Sequence, residues 1–90
     1  MTDSVPSLNS HYRLQFEQAQ DSFVLLFPEG MIKLNGSAGE ILSMVDGQRN
    51  HQTIIEALQR KYPDVQELAE QVLEFLQIAH EKQWIEYPQV

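Results

Sequence analysis

The chain contains no cysteine, which excludes disulfides, iron–sulfur clusters and zinc sites built on thiolates. Cations are scarce: six Lys and Arg stand against thirteen Asp and Glu, for a net charge of -7. A phosphate backbone is held mainly by Lys and Arg displacing condensed counterions. The charge balance therefore argues against nucleic acid and for a protein, peptide or cationic partner. No apolar run approaches the ~20 residues that cross a bilayer. The N-terminus has neither the basic region nor the apolar core of a signal peptide, and the cytoplasm is the expected compartment.

Catalytic and metal-binding patterns are missing too. Gly30, Gly36, Gly39 and Gly47 do not form a phosphate-cradling loop, and Ser37 lacks a G-x-S-x-G setting. His11, His51 and His80 fall in three separate segments, with no pair at the i,i+4 spacing of a helical metal site. His80 follows an apolar arc and reads as a boundary histidine. Glu67, Glu70 and Glu74 share one helix with Glu81, but no histidine or second carboxylate cluster converges on them, so they read as a solvated face. Neither an enzyme, a cofactor nor a metal is expected.

What is present is enough for one small domain. Ninety residues, 42% of them hydrophobic, bury roughly 60% of their unfolded surface. Met1 to His11 is polar and aperiodic and reads as a flexible lead-in, with a single domain over 12–87. Tyr12, Leu14 and Phe16 alternate with Arg13, Gln15 and Glu17, the period of a half-buried strand. Phe23 to Phe27 is a continuous apolar run suited to a strand covered on both faces. Pro28-Glu29-Gly30 breaks it, and Met31 to Leu34 closes a three-stranded antiparallel meander.

The stretch from Gly30 to Asn50 joins this sheet to the helices. Ser37 and Glu40 have capping-box spacing, as do Thr53 and Glu56, and Asp64 and Glu67 imitate it. Asp46-Gly47 is expected to stop the first helix. The second carries Ile54, Ile55 and Leu58 and ends near Pro63. The third, over about 65–82, carries an apolar arc wider than the usual stripe, from Val65 through Val72, Leu73, Phe75 and Leu76 to Ala79. Trp84 to Tyr87 is extended. The expected fold is α+β, a three-stranded antiparallel N-terminal sheet followed by three helices, similar to a winged helix-turn-helix.

That order raises a DNA-binding regulator as one alternative, but recognition helices present Arg, Lys, Asn and Gln to base edges, and the third helix offers glutamates. A structural dimerisation module is another. The favoured reading is peptide binding: Met31–Leu34 lies at a sheet edge, and such an edge accepts an added strand, with the third helix as a pocket wall.

The run YRLQFEQAQDSFVLLFPEGMIKLNGSAGEILSMVDGQRN closely resembles the PqqD family of pyrroloquinoline quinone (PQQ) biosynthesis. The telling pieces are LLFPEGMIKLN (Leu25 to Asn35), the helix start from Ser37 to Leu42, Asp46-Gly47, and the ending L-E-F-L-Q-I-A-H-E-K-Q-W-I, so the resemblance covers about residues 12–85. It implies a non-enzymatic peptide chaperone, a recognition element for ribosomally made and modified peptides (RiPPs). Such a protein binds the precursor peptide PqqA and presents it to the radical SAM enzyme PqqE, which joins a glutamate to a tyrosine. In related recognition domains the peptide adds a strand beside the third strand and against the third helix. Carried onto this chain, the positions are Met31, Ile32, Lys33 and Leu34, with Val72, Phe75, Leu76 and Ala79 on the helix. Whether the chain is a monomer or a strand-exchanged homodimer stays open.

Overall fold

Alternation builds the sheet. In the computed structural model, which describes residues 4–88, the strands β2 (Arg13–Glu17), β3 (Ser22–Phe27) and β4 (Gly30–Lys33) form an antiparallel sheet in that order. Leu14 lies opposite Leu25, and Leu25 opposite Ile32, so these three share the face turned to the helices. Arg13, Gln15, Val24 and Lys33 share the other. Both faces of β3 are covered at its centre, since Val24 and Leu25 are each 1% exposed or less.

Three helices follow: α1 (Gly36–Ser43), α2 (His51–Lys61) and α3 (Leu68–Glu81). None starts where the capping-box spacing placed it. The α1 cap is Asn35, whose side chain accepts from the Ala38 N–H at 2.8 Å; the α2 cap is Asn50, accepting from the Thr53 N–H at 2.8 Å. Asn ranks with Ser and Asp at this position, and each Asn precedes the Ser or Thr expected to cap. α3 is preceded by Glu67 at its cap, in the left-handed region at φ 63° and without a side-chain cap hydrogen bond, so Val65 is outside the helix. Gly47 is left-handed at φ 79° but sits beyond the helix end at Met44. There Asp46 accepts from the Gln48 and Arg49 N–H groups, each at 3.0 Å, and organises the turn.

The lead-in carries structure that its composition hid. Among the described residues, Ser7–Leu8 (β1) pairs with Ile85–Glu86 (β5), Pro6 is buried, and its carbonyl accepts from the Gly47 N–H at 3.1 Å. Residues 1–3 of that expected flexible segment lie outside the described part. β5 reaches β1 because α3 ends in a paired reversal: Trp84 N–H donates to Ala79 C=O at 2.9 Å and Gln83 N–H to His80 C=O at 3.0 Å, around left-handed Gln83.

The core joins Leu25 of the sheet to Leu42, Ile54, Val72, Leu76, Ala79 and Ile85, all 1% exposed or less. α1 meets β3 at Gly39, where a Cβ would stand 2.7 Å from Phe23 Cδ2 and 2.9 Å from Phe23 Cβ. The second atom cannot swing away. Gly39→Ala is expected to lose about 1 kcal/mol in denaturant unfolding: overpacking costs about 1–3 kcal/mol, and the better helix propensity returns part of it.

Candidate functional site

The outer edge of β4 carries no strand among the described residues. Leu34 N–H donates to Phe23 C=O at 3.1 Å, and backbone groups alternate edge by edge along an antiparallel ladder. Ile32 therefore also points toward β3, where it faces Leu25, while the N–H and C=O groups of Met31 and Lys33 point to the open side.

That edge is flanked by residues that meet opposite ends of α3. At its start, Pro28 and Glu29 share a depression with Gln83, just past the end of α3. At its finish, Asn35 shares a cavity of about 180 Å³ with Leu68, Gln71, Val72 and Phe75 near the start of α3. The cavity walls are mostly apolar, with Ala38, Ile41 and Leu58 completing them. It continues past Ser37, Glu40, Leu68 and Gln71 into a wider depression of about 390 Å³ that reaches Tyr62 and Val65. Glu40 closes this end: Lys61 Nζ and Tyr62 Oη both donate to its carboxylate, tying α1 to the end of α2. The Lys61 hydrogen bond, then that of Tyr62, holds the carboxyl below its ordinary range.

The eight residues drawn from the sequence divide sharply. Met31 is 60% exposed, Lys33 is exposed and Ile32 half-buried, whereas Leu34 is 6% exposed and belongs to the core. On α3, Val72, Leu76 and Ala79 are at most 1% exposed, so a ligand docking on the folded surface has almost none of their area to touch. Val72 lies at the cavity floor; Leu76 and Ala79 hold the helix in place. Phe75 alone of the four is half-buried and lines the cavity. The accessible lane is Leu68, Gln71, Phe75 and Ile78, at spacings of three and four and therefore on one flank of the helix. Ile78 is 41% exposed. The residues drawn from the sequence lie mostly at the centre of the apolar arc, which the core covers, whereas Leu68, Gln71 and Ile78 lie on its more accessible flank.

A second cavity, about 510 Å³, is on the other flank of α3, among Ser4, His51, Leu73, Leu76, Gln77, His80 and Tyr87. His51 Nε2 lies 2.8 Å from Tyr87 Oη, and the His80 ring meets the Tyr87 ring edge-on with centroids 4.9 Å apart. Burial pushes the His51 pKa below its ordinary 6.5, and His51 opens α2, where a cation meets the positive end of the helix dipole. A base favoured neutral in the fold binds fewer protons than in the unfolded chain. Its contribution to stability is complete above pH 6.5 and is lost as pH falls through the lower folded value. The melting temperature is therefore expected to fall between neutral and mildly acidic pH, and to fall less in His51→Gln.

No group of three or more His, Cys, Asp or Glu that could hold a metal gathers among the described residues. Within α3 there is no Lys or Arg, and Glu70, Glu74 and Glu81 are exposed. None of the described helices is long and apolar enough to cross a membrane.

Comparison with known proteins gives a consistent result. The family model of coenzyme PQQ synthesis protein D (PqqD) matches residues 22–85. A PqqA binding protein of Pseudomonas aeruginosa PAO1 is 55% identical over 84 residues, covering 93% of this chain and 91% of the relative. One from Azotobacter vinelandii is 48% identical with the same coverage. In structure, the chain is similar to the PqqD truncation of Methylobacterium extorquens PqqCD, solved by NMR and described as a functional, stand-alone RiPP recognition element: TM-score 0.76, 28% identity, 96% of this chain and 93% of that one. The crystal structure of PqqD from Xanthomonas campestris matches with a TM-score of 0.55 and 30% identity, over 93% and 94% of the two chains.

Proposed function

The chain belongs to the PqqD family, and from that premise we propose that it is a cytoplasmic peptide chaperone that binds the precursor PqqA and presents it to the radical SAM enzyme PqqE. It acts without catalysis or cofactor of its own, as one domain over 12–87 joined by the β1 segment. PqqA adds a strand to β4, pairing backbone to backbone with Met31 and Lys33. Its side chains on the inner face enter the lane formed by Leu68, Gln71, Phe75 and Ile78.

One observation carries this reading: among the described residues β4 leaves its outer backbone row open, and Asn35, just past its end, lines a mostly apolar cavity with Leu68, Val72 and Phe75 of α3. Backbone pairing supplies sequence-tolerant affinity, and the cavity beside Phe75 supplies selection. The acidic chain and a lysine-free α3 favour a peptide over duplex DNA. Titrating the isotopically labelled chain with PqqA is expected to shift the amides of Met31–Leu34 and of the lane on α3. Shifts confined to β2 or to the His51–Tyr87 side would overturn the site, and no shift at all would overturn the function.

A further inference from the structure

Among the described residues the sheet has a second open edge, on β2, and its sequence is complementary to itself. Since the Phe23, Leu25 and Phe27 backbones turn toward β4, those of Ser22, Val24 and Leu26 turn toward β2, where they face Glu17, Gln15 and Arg13. That leaves the N–H and C=O groups of Leu14 and Phe16 aimed outward. Phe16 is 45% exposed, which is high for an aromatic ring on the face turned to the core.

We infer that β2 is a self-pairing edge, through which two copies of this chain join antiparallel about a two-fold axis at Gln15. In that register Leu14 of each copy lies opposite Phe16 of the other, and these are the residues whose backbone groups are free to exchange both hydrogen bonds. Arg13 of each copy lies opposite Glu17 of the other. Those are non-hydrogen-bonded positions, where opposed side chains come closest, so opposite charges meet on either side of the axis. Gln15 is already hydrogen-bonded to Glu17 within one chain and steadies the carboxylate on that face. The pairing covers Phe16 with a second apolar side chain and exchanges no strand between the copies.

The other open edge lacks this property. Lys33 is the one charged residue in Gly30–Lys33, so pairing β4 with itself sets no opposite charges against each other within the strand. A six-stranded sheet joined through β2 keeps both β4 edges at its outer ends, clear for ligand. The two edges thus divide the work: β2 takes its own copy, β4 a foreign strand.

Charge reversal tests the pairing. Sedimentation of the full chain over a wide concentration range is expected to show a monomer–dimer equilibrium. Arg13→Glu and Glu17→Arg each place like charges opposite one another twice and should weaken association about tenfold or more. An equimolar mixture of the two variants restores opposite charges at both positions and should associate as the native chain does. Should the mixture stay monomeric, or either single variant associate like the native chain, the register is wrong. Dilution of the labelled native chain gives a reading that needs no variant. Amide shifts centred on Leu14 and Phe16 support the pairing, and their absence, or a monomer at every concentration, overturns it.

Discussion

Phe75→Ala is expected to weaken PqqA binding ten- to a hundredfold while the domain stays folded. A central aromatic anchor commonly costs about 2 kcal/mol or more when truncated, and each 1.4 kcal/mol is roughly tenfold in affinity. Phe75 lines the cavity between Asn35, just past β4, and α3, so its ring is a wall that an entering side chain would touch. It is only half-buried, hence truncation removes less core than at a sealed position. Leu76→Ala, one residue on, is the contrast. Leu76 is 1% exposed and packs in the core, so its truncation should cost about 2–5 kcal/mol of folding stability and affect binding only through unfolding. Isothermal titration paired with denaturant unfolding separates the two. Equal losses of affinity per unit of lost stability in both variants would mean that Phe75 is core and not contact.

This contrast also marks how far the residues alone reach. The meander is legible because Leu14 and Phe16 alternate with charged and polar neighbours and Pro28-Glu29-Gly30 can only turn. The helices are legible from Ile54, Ile55 and Leu58 and from the arc on α3. Their starts are not, because a Ser or Thr three residues before a Glu occurs inside helices as well as at their ends. Asn35 and Asn50 outcompete Ser37 and Thr53 simply by coming first. β1 and β5 are two residues each, too short to show any period, and they exist because the reversal at Gln83 brings Ile85 back to Leu8. Glu40 is the clearest loss: its carboxylate serves Lys61 and Tyr62 from across the fold, a pairing that no local spacing encodes. For the site, hydrophobicity identifies which helix face is apolar but not which part of it the sheet and α2 cover. That depends on the angle at which α3 packs, so the sequence alone does not show that Val72 and Leu76 are buried while Ile78 is exposed.

The backbone offers the sharper test, because alternation assigns each residue of β4 to one side. Lys33→Pro is expected to reduce PqqA affinity at least tenfold with little change in stability. The substitution removes an N–H that points to the open edge, adds a ring where the incoming strand must lie, and sacrifices no bond to β3. The Lys33 side chain is exposed, and Ile32 before it is already extended within the strand, the conformation that a following proline prefers. Ile32→Pro should behave oppositely. Its N–H faces Leu25 on the central strand, so proline there breaks the hairpin and lowers the melting temperature before any ligand is added. If Lys33→Pro binds like the native chain, PqqA does not pair with this edge, whatever the lane on α3 contributes. If both prolines destabilise equally, the outward assignment of Lys33 is wrong. Loss of binding in a folded Lys33→Pro, beside a destabilised Ile32→Pro, is the result that strand addition requires, since side-chain docking on α3 alone is indifferent to which N–H is removed.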